Sequence, residues 1–349
     1  VCGFIGRQEG NVMRAALHAR NRREGRRWRW LSGVQPLALL ACALLSACAG
    51  AQTAPPRADG AGSAGEARTS SPATAPRPYS ALLPAPALSA TAYVLIDPSS
   101  GVVYLSHNAR AELPMASTTK IMTALVALTF SSLDQRITVG ADAAALEGGE
   151  ASVAGLREGD VLTLRELLYG LMLPSGDDAA VAIADGVAGS QDHFVTLMNT
   201  EAALLGLWHT RYADVHGLDA PGHYTTAGDL ATLARSAMRL TAFRTVVGTA
   251  VYQLNAGAGH QAYTWTTTNK LLTSRLYSGV IGIKTGFTGN AGECLVFAAR
   301  RPQGQLLGVV LGAPDDDARF RDAAALLDWG FVVADAARRY AGSGYIAGG

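Results

Sequence analysis

Lysine is nearly missing from this chain: of 29 basic residues only Lys120, Lys270 and Lys284 are lysine. So strong a bias toward arginine points to lysine being kept where arginine cannot serve. One such place is chemistry that needs an amine able to lose its proton, since a guanidinium stays charged. Charge of either sign is also thin, at 16% of residues against roughly 25% in average soluble domains. With 49% hydrophobic positions over 349 residues, disorder throughout is excluded, and there is length for one large core or two small ones. Cysteine occurs four times, at Cys2, Cys42, Cys48 and Cys294. Only the last lies in the part that reads as folded, so no intramolecular disulfide framework and no Cys-x-x-Cys metal site is available there. The seven histidines form no His-Glu-x-x-His pair, and neither a metal nor another cofactor is expected. Apolar runs are short too. The longest near the start, Leu37 to Ala47, falls below the roughly 20 residues that span a bilayer.

The net charge of +1 hides an uneven distribution. Residues 1–47 carry eight arginines against Glu9 and Glu24, a balance of +6, which leaves 1 − 6 = −5 for the remainder. A mildly acidic folded part argues against a nucleic-acid partner. An arginine-rich stretch, a short apolar run and Leu45-Ser46-Ala47-Cys48 together predict an export signal over residues 1–47. Leu-Ser-Ala-Cys resembles the bacterial lipobox, in which the cysteine is lipidated and becomes the first mature residue; the plainer reading is an ordinary signal anchor. Residues 48–87, rich in Ala, Pro, Gly, Ser and Thr, hold too few large apolar residues to fold and read as a tether. Gly60-Ala61-Gly62-Ser63-Ala64-Gly65 matches Gly-x-Gly-x-x-Gly only formally, with no strand before it and no helix after it. A catalytic domain is predicted over residues 88–340, with a tail over 341–349.

Within that domain, Tyr93–Asp97 and Val102–Leu105 flank Pro98-Ser99-Ser100-Gly101 and predict a hairpin. Ser117 to about Thr129 reads as a helix, and helical patterns dominate Leu164 to Leu240. Ile281–Thr285, Cys294–Ala298 and Leu306–Leu311 read as strands, and Ala318–Ala337 as a closing helix. Strands, helices, then strands and a helix predict one antiparallel sheet with a helical insertion.

Three short motifs carry candidate chemistry. Ser117-Thr118-Thr119-Lys120 stands at a helix start, where a capping serine and a solvated lysine are the ordinary explanation. The same spacing puts both side chains on one helix face, where a lysine of lowered pKa can take the serine proton. Leu173-Pro174-Ser175-Gly176-Asp177-Asp178 joins two helical patterns, and Ser or Asp there can simply cap the second. Lys284-Thr285-Gly286 lies in a predicted strand, where a strand-end lysine before a turn glycine is the bland reading. Each is weak alone. Their order, with two of the three lysines inside them, matches the motif set of serine enzymes that react with penicillins.

The likeness runs further. Pro114-Met115-Ala116-Ser117-Thr118-Thr119-Lys120-Ile121-Met122-Thr123-Ala124-Leu125, His216-Gly217-Leu218-Asp219, Thr268-Asn269-Lys270-Leu271-Leu272, Gly292-Glu293-Cys294-Leu295-Val296 and Leu326-Leu327-Asp328-Trp329-Gly330-Phe331 resemble the D-alanyl-D-alanine carboxypeptidases, low-molecular-mass penicillin-binding proteins related to class A β-lactamases. The resemblance covers about residues 88–335. It implies an α/β fold of the β-lactamase and penicillin-binding-protein type, an antiparallel five-stranded sheet flanked by helices plus a helical subdomain.

The activity the resemblance implies is removal of the terminal D-alanine from peptidoglycan pentapeptides through an acyl-enzyme, inhibited by penicillins and other β-lactams. Ser117 is then the nucleophile, Lys120 its base, and Ser175 the relay to the departing D-alanine. Lys284, Thr285 and Gly286 contact the substrate, with Lys284 also keeping Lys120 partly neutral. The backbone N–H groups of Ser117 and Phe287 form the oxyanion hole, and Arg319 supports carboxylate recognition. The domain would work outside the cytoplasm, held to a membrane by lipidated Cys48. Asp177 also falls among the substrate-binding positions, with one departure: it occupies the place of the family's asparagine. An ionised Asp only accepts hydrogen bonds, and beside Lys120 it would hold that amine protonated. A second departure is that few residues follow Phe331, without the β-rich domain and amphipathic helix of many relatives. Two alternatives are a non-catalytic penicillin- or peptidoglycan-binding protein and a β-lactamase. Against the latter, Glu201-Ala202-Ala203-Leu204-Leu205 lacks the asparagine of the deacylating Glu-x-x-Leu-Asn pattern.

Overall fold

The computed structural model describes residues 83–146, 151–274 and 277–342, all within the unit Pro76–Gly349, one of two into which the chain divides. Cys48, the signal and most of the tether lie outside the described residues. The first hairpin pairs β1 (Ala92–Ile96) with β2 (Val103–His107). Its turn follows from local chemistry. The Asp97 carboxylate accepts from Ser99 N at 2.7 Å and from the hydroxyls of Ser99 and Ser100, and Gly101 takes a φ of +81°.

The remaining sheet strands come from the far end of the chain: β7 (Val280–Thr288), β8 (Gly292–Arg301) and β9 (Gly304–Ala313). All pairs are antiparallel, and the order is β2-β1-β9-β8-β7. Strand β7 runs three residues past Thr285. Lys284 therefore sits mid-strand opposite Val296, not at a strand end. Alternation assigns the faces. Leu295, Phe297 and Ala299 of β8 join Leu95, Leu306 and Val310 in a core under the C-terminal helix. Cys294, Val296 and Ala298 point the other way, into a larger core shared with the helical part. Fully burying a side chain of this size contributes about 1.5–3 kcal/mol, and a one-residue register slip would turn each set into the core packed for the other.

The helical part is built from α1 (Lys120–Phe130), the single turn α2 (Ala141–Ala144), α3 (Leu164–Met172), α4 (Asp177–Ala188), α5 (Gln191–Leu205), α6 (Ala227–Ala237) and α7 (Thr241–Val247). A turn, α8 (Lys270–Thr273), precedes β7, and α9 (Asp316–Gly342) covers the sheet. Thr163 and Glu166 form a reciprocal capping box on α3. Helix α1 is buried on all sides from Lys120 to Ala127, wedged between sheet and helices. Two ribbons were not anticipated: β3 (Arg136–Thr138) with β4 (Val161–Thr163), and β5 (Val251–Leu254) with β6 (Tyr263–Thr266). Strands of three or four residues are marginal alone. The second ribbon depends on packing, with Tyr169 stacked on Tyr252 at 3.7 Å and Trp265 Nε1 donating to Ala154 O.

Candidate active site

The helix expected from Ser117 begins three residues later. Ala116–Thr119 is a 3₁₀ turn, entered through Ala116 at a φ of +47°, and α1 starts at Lys120. Side chains tie this turn down: Thr118 donates to Met115 O at 2.6 Å and Thr119 to Ala116 O at 2.9 Å. Behind them lies His223, which the sequence reading gave no role. Its Nδ1 accepts from Ala213 N at 3.0 Å, so the neutral ring carries its hydrogen on Nε2, which donates to Thr119 Oγ1 at 2.7 Å. Burial pushes this ring's pKa down, against the pull of Asp214. Gly217, at a φ of +102°, passes so close that a Cβ there would stand 2.0 Å from Ala116 O. Only glycine fits.

Ser117 is partly exposed while Lys120 is wholly buried. Lys120 Nζ lies 2.8 Å from Ser117 Oγ, 2.7 Å from His216 O and 2.5 Å from Asp177 Oδ1. The three partners match the three donors of an ammonium. They also suit the neutral amine. Its two hydrogens go to His216 O and Asp177, and its lone pair is left facing the serine hydroxyl. Burial lowers the Lys120 pKa, and the Asp177 carboxylate opposes that fall. His216 contributes its carbonyl; its ring accepts from Leu218 N at 3.3 Å, and burial lowers its pKa.

The loop before α4 holds Asp177 in place. Neither Ser175 nor Asp177 caps the helix; the N-cap is Gly176. Asp177 instead accepts from Ser152 N at 3.0 Å and donates its own N–H to Ser152 O. Asp178 accepts from the N–H groups of Ala154, Leu156 and Ala179. The 151–156 segment thus hangs on two adjacent carboxylates. Ser175 is buried at a φ of +72°, and its hydroxyl makes no hydrogen bond with a described residue.

Strand β7 supplies the opposite wall. Lys284 is buried, and Nζ donates to Thr285 O at 3.0 Å. Burial, then the charge of Lys120, hold its pKa well below the ordinary lysine value, against Asp177. Thr285 Oγ1 bonds Thr268 Oγ1. Gly286 shares the Cys294 and Lys284 face of the sheet, and a Cβ there would meet Ser117 N at 3.0 Å. Its missing side chain lets the strand backbone approach the nucleophile turn. Phe287 is 55% exposed beside it.

Arg319 lies behind this wall. Its guanidinium donates to Gly286 O at 2.9 Å and is ion-paired with Glu293 and Asp316. With both carboxylates attached and 8% exposure, it braces the strand instead of reaching into the cleft. Lys270 is the correction to the lysine count. It is half-exposed and paired with Asp316 and Asp317, which raise its pKa; nothing there needs an amine that loses its proton. Thr268, Glu293 and Asp178 stand inside the quoted motifs, but the sequence reading assigns none of them a role. Among the described residues no three His, Cys, Asp or Glu side chains are grouped to hold a metal ion.

Residues 80–315 match the family model described as D-alanyl-D-alanine carboxypeptidase. The chain belongs to this family. It is 39% identical over 261 residues to the D-alanyl-D-alanine carboxypeptidase of Streptomyces sp. strain K15, covering 71% of this chain and 89% of the relative. It is also 39% identical to DacC of Escherichia coli over 262 residues, but spans only 62% of that longer protein. Among solved structures, the Streptomyces K15 DD-transpeptidase superposes with a TM-score of 0.68 at 38% identity, covering 72% of this chain and all of that one. A penicillin-binding protein homolog from Mycobacterium tuberculosis gives 0.66 at 32% identity, with 72% and 94% covered. These matches bear out the expected family and its mixed α/β fold with a five-stranded antiparallel sheet.

Proposed function

We propose that this carboxypeptidase-family chain cleaves the terminal D-Ala–D-Ala bond of peptidoglycan stem peptides with Ser117 as nucleophile. The observation that carries the assignment is the Lys120 amine, 2.8 Å from Ser117 Oγ and held there by His216 O and Asp177. Neutral Lys120 takes the Ser117 proton as Oγ bonds to the penultimate carbonyl carbon. The negative oxygen that forms is met by the N–H groups of Ser117 and Phe287. The C–N bond then breaks, and the proton passes through Ser175 to the departing D-alanine. Water attacks the ester, releases the shortened peptide and restores the serine hydroxyl. Lys284 and Thr285 hold the substrate carboxylate; its arrival supplies the counter-charge that buried Lys284 lacks, so binding and protonation of Lys284 go together. Asp177 orients Lys120, and Arg319 holds Gly286 in register through its carbonyl. A β-lactam enters as an amide that acylates the same serine and leaves slowly.

The test is labelling by a fluorescent penicillin, with D-alanine release from a pentapeptide ending in D-Ala-D-Ala. The intact chain should form a long-lived adduct on Ser117 and release D-alanine, and Ser117→Ala should do neither. Labelling of Ser117→Ala at full stoichiometry would sink the assignment. Fast penicillin hydrolysis would make the protein a β-lactamase, and a stable adduct without D-alanine release a binding protein.

The export signal over residues 1–47, the tether over 48–87 and the catalytic domain over 88–340 belong to the same proposal. Leu45-Ser46-Ala47-Cys48 supports lipidation of Cys48 and attachment to a membrane outside the cytoplasm. Each buried CH₂ of an acyl chain contributes about 0.8 kcal/mol, so two or more chains anchor stably. Cys48→Ala should release the domain or leave the precursor uncut; an unchanged mass and membrane fraction would place the anchor elsewhere.

A further inference from the structure

A cavity of about 730 Å³ lies apart from the catalytic cleft. It is lined by Arg235, Arg239, Arg244, Arg300 and Arg338, with Asp97 the one acidic residue. It lies at the other end of the sheet. The cleft adjoins Cys294, which pairs with Gly286, whereas Arg300 stands six residues further along β8, opposite Gln305. That is roughly 20 Å of strand.

Five guanidiniums facing one cavity repel one another unless carboxylates intervene, and the lining holds a single one. The Asp97 carboxylate takes its hydrogen bonds from Ser99 and Ser100 and offsets at most one of the five charges. The nearby acids on α9 serve other arginines: Asp335 pairs with Arg339, and Asp328 with Arg301. Uncharged acceptors hold most of the cavity arginines in place. Arg235 donates to Pro98 O at 2.6 Å and Ser99 O at 3.0 Å, and Arg244 to Met238 O at 2.8 Å and Arg239 O at 2.9 Å. Arg300 donates to Gln305 Oε1 at 3.1 Å and Arg338 to its own helix at Ala334 O. The cations are therefore oriented with their charge left over. Planar forks so placed suit paired oxygens of a phosphate better than a lone carboxylate.

We infer that this cavity binds a phosphate-bearing anion with two or more negative charges, held by the arginines of α6, the α6–α7 turn, α7, β8 and α9. The same chemistry is offered by a free diphosphate and by the headgroups of an anionic lipid surface, and the experiment separates them. Inorganic diphosphate is titrated calorimetrically into the full chain at low salt, and phosphatidylglycerol and phosphatidylcholine vesicles are tested by flotation. Arg239→Gln and Arg338→Gln are the variants, because both side chains are exposed and neither ties two segments together; Arg165→Gln, paired with Asp134 outside the cavity, is the control. One diphosphate bound per chain, weakened about ten-fold or more by each cavity variant and unmoved by the control, supports a free anion. No diphosphate binding, but phosphatidylglycerol flotation that the same variants weaken, supports the headgroup source. Three results overturn the site: binding of neither probe, affinity undiminished in the double variant, which would assign it to the arginines of residues 1–47, or equal binding of neutral vesicles.

Discussion

Two buried lysines face each other across the cleft, and their surroundings differ in one decisive respect. Lys120, on the helical side, meets a carboxylate, a carbonyl and a hydroxyl. Lys284, on the strand side, meets the carbonyl of Thr285 and the field of Lys120. Both are driven toward the neutral form by burial, but only Lys120 has an anion in contact to oppose it. The difference teaches that the two sides balance charge differently: among the described residues the helical side sets a carboxylate against its amine, and the strand side offers only a carbonyl. On the proposed function, the carboxylate of a peptide ending in D-alanine supplies the missing anion on the strand side.

The same substitution at the two lysines should therefore have opposite consequences, which offers the hardest test of the comparison. Lys120→Met strands Asp177 in a buried position; breaking a buried pair from one side costs about 3–5 kcal/mol. Thermal unfolding near neutral pH should show a large drop in melting temperature, together with loss of penicillin acylation. An unchanged melting temperature would mean that the pair contributes nothing.

Asp177→Asn acts on the proton instead of the fold. The carboxylate raises the Lys120 pKa against burial, so its removal lowers that pKa. Lys120 is then neutral at more acidic pH, and the acidic limb of acylation moves to lower pH. A shift of one unit corresponds to about 1.4 kcal/mol. Penicillin acylation rates measured from about pH 5 to 10, a range chosen to bracket a lowered lysine pKa, decide it. A limb displaced to higher pH would contradict the electrostatic account.

Lys284→Met should have the smallest effect and the opposite sign. Because the folded pKa lies well below the ordinary value, the unfolded chain holds a proton that the folded one lacks between that lowered pKa and about 10.4. Stability therefore rises with pH through this window. Methionine fills similar space without that penalty, so the variant should melt higher near neutral pH, by about 2–4 °C for each kcal/mol relieved. Its stability should also rise less steeply toward alkaline pH, while substrate affinity falls. A lower melting temperature would show that Lys284 already has a partner in the free protein.

Much of the fold was legible because its signals are local. The hairpin at Pro98–Gly101, the continuous apolar run of β8 and the presence of a helix at α9 each follow from a local pattern or a turn residue. The short ribbons β3–β4 and β5–β6 were not legible, since their few residues take strand geometry only against neighbours such as Tyr169 and Ala154. The 3₁₀ turn at Ser117 was read as α-helix for a similar reason. Its geometry is set by Gly217, about 100 residues away along the chain, pressing on Ala116 O.

The sequence by itself determined which residues are available for chemistry. The Ser117–Lys120 spacing, the strand bearing Lys284-Thr285-Gly286 and the place of Asp177 two residues after Ser175 are properties of order along the chain. Tertiary structure alone decided what charge each of them carries. Lys120 and Asp177 meet across 57 residues, Arg319 is already engaged by Glu293 and Asp316, and Lys270 lies at the surface with two aspartates. Spacing fixes which side chains share a helix face or a strand; protonation depends on burial and on charges a few ångströms away through space, and those distances exist only once the chain has folded.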